Sequence, residues 1–396
     1  MKDLNVIDLT PVGAKYAITT DWFSAILSAD AGLIDFESPL PLYSFDFGHI
    51  VFKKMELCAP MFKHGYEIIL DGKDFGRVHV SPRSKAIFKE NEMQFELCNN
   101  IHYEIAWTES LDYLLKKMSW KVANVSRLDI ALDGIGFFDV MKKLFRGEIE
   151  KTGKSKIQFF TNSKINLEGC DIGKRSSNKW VTCYDKSAEL EKSNKYYIKK
   201  FWERTGLDTE RVERMELKLR NEAIKMIHNF DWKKLSDFEY LASIFRTYVE
   251  GGYVVNQETG NMKLTRGIVD FVEKGTDSNV SRKKRIQFIN WDYLGGEKLE
   301  RLSTKQSNEI YRMKLSCKTL VWIYVATKKN TGKEYPHYLH LAREIAESIN
   351  CLQWMVDKYE GWLAEFDKRK FDYLPTYQTG YAGQQLNLYE MPTVSV

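Results

Sequence analysis

The chain has 396 residues, which favours two or three domains over one small one, and 43% of them are hydrophobic against 29% charged, the balance of a soluble globular protein with ample core. The first residues, "MKDLNVIDLT", lack the long apolar stretch of a cleaved signal peptide, and the longest apolar run, "LVWIYVA" at 320–326, is far too short to span a bilayer. The net charge of +5 is modest, and the six cysteines are scattered without a close pair, which argues against a zinc site or disulfide framework and fits a reducing cytoplasm.

In chain order, the first 135 residues read as strand-rich. "HGYEIILDGKDFGRVHVSP" at 64–82 is a hairpin turning near Asp71-Gly72, and "AIFKENEMQFELC" at 86–98 reads as two short strands around Glu90-Asn91. "TESLDYLLKKMSW" at 108–120 has the apolar spacing of a helix. "SRLDIALDG" at 126–134 alternates, with Leu128, Ile130 and Leu132 on one face and Arg127, Asp129, Ala131 and Asp133 on the other. A weaker strand, "KIQFFTN", follows at 156–162.

Beyond the turn "DIGKRSSNK", the stretch "KWVTCYDKSAE" at 179–189 alternates again. Trp180, Thr182, Tyr184 and Lys186 fall on one side, with Val181, Cys183 and Asp185 on the other. A helix is expected over 187–204. A third alternating strand at 210–223, "ERVERMELKLRNEA", sets Val212, Arg214, Glu216, Lys218 and Arg220 against Met215, Leu217 and Leu219.

From Ser236 the pattern turns mainly helical, starting with a Ser-x-x-Glu capping box at 236–239. A last long helix begins at Pro336, with an apolar stripe through Tyr338, Leu341, Ile345, Leu352, Met355, Tyr359, Trp362 and Phe366. No repeat of 20–50 residues is visible, so a solenoid or propeller is not expected. These readings give an α+β protein with an antiparallel-sheet core and flanking helices at 1–235, a mainly helical region at 236–370 and a loosely ordered tail at 371–396.

Charge is unevenly spread. Residues 151–220 hold 17 Lys and Arg against 10 Asp and Glu, and "SRKKR" at 281–285 adds four cations in a row. Such local fields attract polyanions. Three strands thus carry unusual polar residues on one face: Asp129 and Asp133, Tyr184 and Lys186, then Arg214, Glu216 and Lys218. Oxygen ligands beside strong cations suit Mg²⁺ or Mn²⁺ chemistry on phosphate, with the cations offsetting the charge that develops. A tyrosine there can attack phosphorus, although at a free pKa of about 10 it needs a metal or cation to favour the phenolate. The plainer explanation is cross-strand ion pairing on a half-exposed sheet, worth about 1 kcal/mol or less per pair.

The segments "VSRLDIALDG", "DIGKRSSNKWVTCYDKSAE" and "RVERMELKLRNEA", in that order, resemble the rolling-circle replication initiators of small plasmids and filamentous phages, the replication initiation factor or trans-acting Rep family. Members typically show an R-hydrophobic-D-x-A-x-D strand, a GSR-x-S turn leading to R-x-Y-[DN]-K, and a later R-x-E-x-x-x-R strand. The sharp matches lie within 125–223. The resemblance implies a nuclease-type antiparallel sheet and a metal-dependent endonuclease that nicks one DNA strand at an origin, joins its tyrosine to the 5′-phosphate and leaves a 3′-OH for a polymerase.

Carried over by position, Tyr184 matches the nucleophile and Lys186 the lysine beside it. Asp129 and Glu216 match the acidic positions for Mg²⁺ or Mn²⁺, with Asp133 as a further one. Lys174, Arg175, Ser176, Lys179, Arg214 and Lys218 are candidate phosphate contacts, and Arg282, Lys283, Lys284 and Arg285 are candidate contacts to duplex origin DNA. Trp180 is a candidate platform for stacking single-stranded bases, with core packing the favoured role for Trp202. Family analogy adds a homodimer, a host helicase and the cytoplasm of a bacterial host.

The chain also departs from the pattern. Thr182 stands where the family has arginine, Gly173-Lys174-Arg175 replaces GSR, and there is no His-hydrophobic-His pair. His79 is a candidate metal neighbour only if its strand adjoins Asp129, and His337 and His340 read as surface residues. Tyr196 and Tyr197 form a rival nucleophile pair. A non-catalytic DNA-binding regulator and a mobilisation relaxase are the alternative functions.

Overall fold

A computed structural model of the protein describes residues 6–29, 45–46, 49–84, 87–153, 155–208, 210–256, 262–275, 283–302, 305–349 and 351–368. Two compact units divide the chain, Met1–Gln306 and Ser307–Val396.

The first unit begins with β1 (Val6–Asp8), β2 (Ala17–Ala29), β3 (Phe45–Asp46), β4 (Ile50–Lys54), β5 (Phe62–Leu70), β6 (Lys73–Pro82) and β7 (Glu92–Leu97). β5 and β6 are the hairpin read from the sequence. Asp71 and Gly72 both take positive φ (50° and 76°), the two-residue turn whose twist matches that of paired strands. Of the two strands expected at 86–98 only β7 forms. Ahead of it the Lys89 N–H donates to the Glu92 carboxylate (2.9 Å), which closes a turn instead.

α1 (Trp107–Met118) leads into β8 (Trp120–Gly134), then α2 (Phe137–Phe145), β9 (Ile149–Lys151), β10 (Ile157–Thr161), β11 (Leu167–Ile172) and β12 (Lys179–Asp185). β11 was hidden in what reads as a glycine-marked loop. α3 (Lys186–Ser193) and α4 (Tyr197–Thr205) replace the single helix expected there, because Asn194 adopts a left-handed conformation (φ 56°) that ends the first. β13 (Glu213–Arg220), α5 (Asn221–Lys225) and α6 (Phe238–Val249) follow. Asp237, not Ser236, caps α6, while the Ser236 hydroxyl accepts a hydrogen bond from Thr108.

Residues 251–302 correct the helical reading. They form β14 (Gly251–Val255), β15 (Met262–Arg266), β16 (Phe271–Glu273), β17 (Arg285–Gln287), α7 (Trp291–Leu294) and β18 (Arg301–Leu302). β16 pairs with β9, and β17 with β1, so this stretch folds back into the first unit and the boundary expected at 235 lies inside it. Strands of two to five residues are too short to carry a periodic signal.

Among the described residues, eleven strands make one antiparallel sheet in the order β10-β11-β12-β13-β8-β2-β7-β6-β5-β4-β3. One face of β8 and β13 presents Leu128, Ile130, Leu132, Met215, Leu217 and Leu219, all fully buried in the main core with α2 and α6. Each such side chain contributes about 1.5–3 kcal/mol by leaving water. With helices on this sheet and a helical second unit, the molecule is α+β.

The second unit contains α8 (Lys305–Thr331), α9 (His337–Ser348) and α10 (Leu352–Lys368). The long helix expected from 336 is two helices. Ala342, Ala346, Met355 and Trp362 enter the core around Cys317 and Val321, whereas Leu341 of the expected stripe is 45% exposed. The tail expected after 371, and Phe366's side chain, lie outside the described residues. Among the described residues, no helix is long and apolar enough to cross a membrane.

Candidate active site

Register brings the three sequence segments together. β12, β13, β8 and β2 are successive neighbours, and Tyr184 lies opposite Arg214, which lies opposite Asp133. Thr182 faces Glu216, and Lys218 sits between Trp180 and Asp129. Because side chains alternate, all of these leave the face opposite the leucine core.

A further carboxylate joins them. Between Thr20 and Trp22 the β2–β8 register shifts, and the bulged residue is Asp21. Sequence reasoning missed it, although Asp21 is the one charged residue in "AITTDWFSAILSA", which was the available signal.

Two assignments made from the sequence are corrected here. Arg214 is fully buried, with Nε and Nη2 donating to Asp133 (2.7 and 2.8 Å) and Nη1 to Asp21 (2.7 Å), so no donor fork remains for a phosphate. Asp133, also fully buried, accepts from Arg214 and from the Trp202 indole (2.7 Å), which leaves it a counter-ion rather than a metal ligand. Trp202 is a core residue of α4. The cause of both corrections is α4 and the 99–103 turn, which close over this end of the face. There the Tyr103 hydroxyl donates to Asp21 (2.5 Å) and packs beside Tyr197 and Phe201.

Further along the face, Asp129 is buried and held by Arg127 (3.0 and 2.5 Å) and by Lys218 (3.3 Å). Lys218 also reaches Glu216 at 2.8 Å. Burial alone would lower the Lys218 amine, but Glu216 and Asp129 outweigh it and raise it, so this lysine is a fixed internal cation rather than an open DNA contact.

Asp21 and Glu216 share a hydrogen bond between their carboxyl groups, and their acidities separate. Burial would raise Asp21, yet the Arg214 guanidinium, with hydrogen bonds from Glu216 and Tyr103, holds it well below the usual carboxylate range. Glu216 is pushed up to about 7 by burial and by the charge of Asp21, against the pull of Lys218.

Among the described residues, no three His, Cys, Asp or Glu side chains are grouped to hold a metal ion. The hard oxygens of the Asp21–Glu216 pair nevertheless suit Mg²⁺ or Mn²⁺, since Mg²⁺ is commonly held by one or two carboxylates plus substrate phosphate oxygens. Asp129 is less free for this, its oxygens being engaged by cations.

Tyr184 is half-buried, opposite Gly169 on β11, where a Cβ would come within 3.2 Å of the tyrosine Cβ. Lys186, the first residue of α3, is 3% exposed. Its Nζ donates to Glu189 at 2.5 Å and lies 3.5 Å from the Tyr184 hydroxyl. Burial pushes the phenol well above its usual range against the pull of Arg214, with Glu216 and Asp21 raising it further. Burial and Arg214 together lower the Lys186 amine, which Glu189 partly restores. Glu189 also went unnoticed in the sequence, although i,i+3 spacing from Lys186 in a helix could have flagged it.

The remaining candidates disperse. Lys174, Arg175 and Ser176 are exposed on the β11–β12 turn, where Arg175 binds Asp171 (2.5 Å) and covers Phe160 (5.4 Å). Thr182, in place of the family's arginine, donates to the other Asp171 oxygen at 2.7 Å. Lys179 leaves the sheet on the face away from Tyr184. Trp180 is nearly buried beneath Arg220 (5.3 Å) and offers little stacking surface.

Lys283 is paired with Glu150 (2.8 Å) and largely buried, Lys284 and Arg285 are exposed, and Arg282 lies outside the described residues. His79 is on β6, separated from β8 by β7 and β2, so it does not adjoin Asp129. His337 and His340 are in α9 of the second unit. Tyr196 is 59% exposed and bonds Asn194 (3.2 Å), whereas Tyr197 donates to Asn99 (2.5 Å) and burial pushes its phenol up to about 12.

No family model and no curated protein matches the chain. Among solved structures, it is similar to a rolling circle replication initiator protein from Geobacillus stearothermophilus at 17% identity and a TM-score of 0.39, over 71% of this chain and 96% of that one.

Proposed function

We propose that this chain initiates rolling-circle replication by nicking and rejoining one strand of origin DNA through a phosphotyrosine at Tyr184, as the resemblance of its three strand segments implies. The observation that carries this reading is the cross-strand register. It sets a phenol, a buried lysine within 3.5 Å of it, and the Asp21–Glu216 carboxyl pair on one face, from segments up to 195 residues apart.

In the forward step the Tyr184 oxygen attacks the scissile phosphorus and the bond to the 3′-oxygen breaks. The 5′-phosphate stays on the tyrosine. Lys186 in its neutral form accepts the phenol proton and, as the ammonium paired with Glu189, returns it to the departing 3′-oxygen. A divalent ion held by Asp21 and Glu216 would supply Lewis-acid polarisation of the phosphoryl oxygens. Arg214 positions Asp21 without touching substrate. Rejoining reverses these proton movements.

The test is incubation with supercoiled origin DNA and Mn²⁺ or Mg²⁺, scored for open circles and protein-linked 5′ ends. Tyr184→Phe abolishes the covalent product while Tyr196→Phe and Tyr197→Phe keep it. Lys186→Arg, which keeps the charge but cannot give up its proton, slows nicking by roughly 100-fold or more. An active Tyr184→Phe variant would overturn the assignment. A non-catalytic DNA-binding regulator is favoured by one observation, the strongly raised phenol, and would give bound DNA with no open circles under any ion.

A further inference from the structure

On the side of the sheet away from Tyr184, two cations meet one aromatic ring. Lys179 Nζ lies 5.0 Å from the centre of the Tyr248 ring, and the Arg301 guanidinium lies 5.0 Å from the same centre. Tyr248 is 1% exposed and fixed by its hydroxyl, which donates to the Ala223 carbonyl at 2.5 Å. Arg301 is 3% exposed; one of its nitrogens donates to Thr265, and its buried Nε has no hydrogen-bond partner.

Neither cation forms an ion pair among the described residues, which is unusual for charges withdrawn this far from water. The Lys179 amine is pushed down to about 8 by burial first and then by repulsion from Arg301, and no carboxylate opposes either effect. Burial lowers Arg301 as well, with only Tyr248 working against it. An aromatic face attracts both cations but does nothing to relieve the repulsion between them. An anion would do both, and would also take the spare Arg301 donor.

We propose that Lys179 and Arg301 bind a phosphate-type oxyanion beside Tyr248, at a site separate from the tyrosine face. The chemistry suits this assignment: the guanidinium offers fixed N–H donors to an oxyanion, and the ammonium adds a mobile point charge. Lys179 itself stays half-buried rather than sealed. The oxyanion comes either from free phosphate or from a nucleic-acid backbone. The inference does not depend on nicking, since none of these residues takes part in it.

Acylation of Lys179 in the full chain by an amine-reactive ester, read by peptide mass spectrometry, tests this. The additions are inorganic phosphate, a single-stranded oligothymidine, or chloride at matched ionic strength. At an anion concentration tenfold above its Kd, labelling of Lys179 falls about tenfold, while exposed Lys225 labels at an unchanged rate. Protection by inorganic phosphate identifies free phosphate as a sufficient ligand, and protection by the oligothymidine alone identifies a backbone phosphate. Arg301→Met removes the protection; if that variant does not fold, Arg301→Lys weakens it. Equal labelling of the wild-type chain in all three solutions, or full protection in a folded Arg301 variant, would overturn the proposal.

Discussion

Glu216 and Asp21 hold protons very differently although they touch. Glu216 binds its proton more tightly in the folded chain than its ordinary value of 4.5 allows, at about 7, so its share of stability is full below pH 4.5 and lost as pH rises through 7. Asp21 has the opposite sign, because its lowered carboxyl contributes stability above its ordinary value of 3.8 that disappears in acid. Glu216→Gln therefore flattens the fall in stability between pH 4.5 and 7, an effect on the order of a few kcal/mol. Urea midpoints across that range measure it, and a slope equal to wild type would mean that Glu216 is not the titrating group. Tyr184, Lys186 and Glu216 stand out in the sequence because each falls in a short pattern with a chemical meaning. Asp21 was not, because nothing in a linear reading says where a strand bulges.

Helix α4 decides what the sequence could not. From alternation, Asp133 and Arg214 look as open as Asp129 and Glu216, since the four occupy equivalent positions on β8 and β13. Placing Trp202 over one end makes a sealed ion pair of the first two and leaves Glu216 to pair with Lys218. Asp133→Asn leaves a buried guanidinium short of charge and should cost roughly 3–5 kcal/mol in urea unfolding. Hydrogen exchange should at the same time speed up in α4, because the Trp202 indole loses its charged acceptor. Wild-type stability in that variant would show that the pair carries little weight. The β5–β6 hairpin was legible through Asp71-Gly72, whose turn chemistry is local. β11 and β14 to β18 were not, since strands this short owe their existence to partners distant in the chain.

The two units have separate cores: the buried cluster around Trp362 and Cys317 draws on residues 317–363 alone, and the sheet's clusters end at residue 299. A chain ending at residue 306 should keep the thermal transition of the sheet within a few degrees, because the described residues of its core clusters all lie at or before residue 299. Calorimetry on that fragment checks this, and an unfolded fragment would mean that the helical unit is required. The expected border at 235 fails for the same reason the strands were missed: β16 and β17 complete a small sheet with β1 and β9, a long-range pairing.

The central position of β8 has a consequence for how the molecule is made. It is flanked by β2, about a hundred residues earlier, and by β13, about eighty later. Such distant pairings close slowly. A nascent chain leaving the ribosome can zip β5 to β6 at once, but β12 and β8 lack the strand that lies between them until residue 220 emerges. Translation products truncated before β13 therefore carry Tyr184 without Arg214, the residue that lies opposite it, and without Glu216.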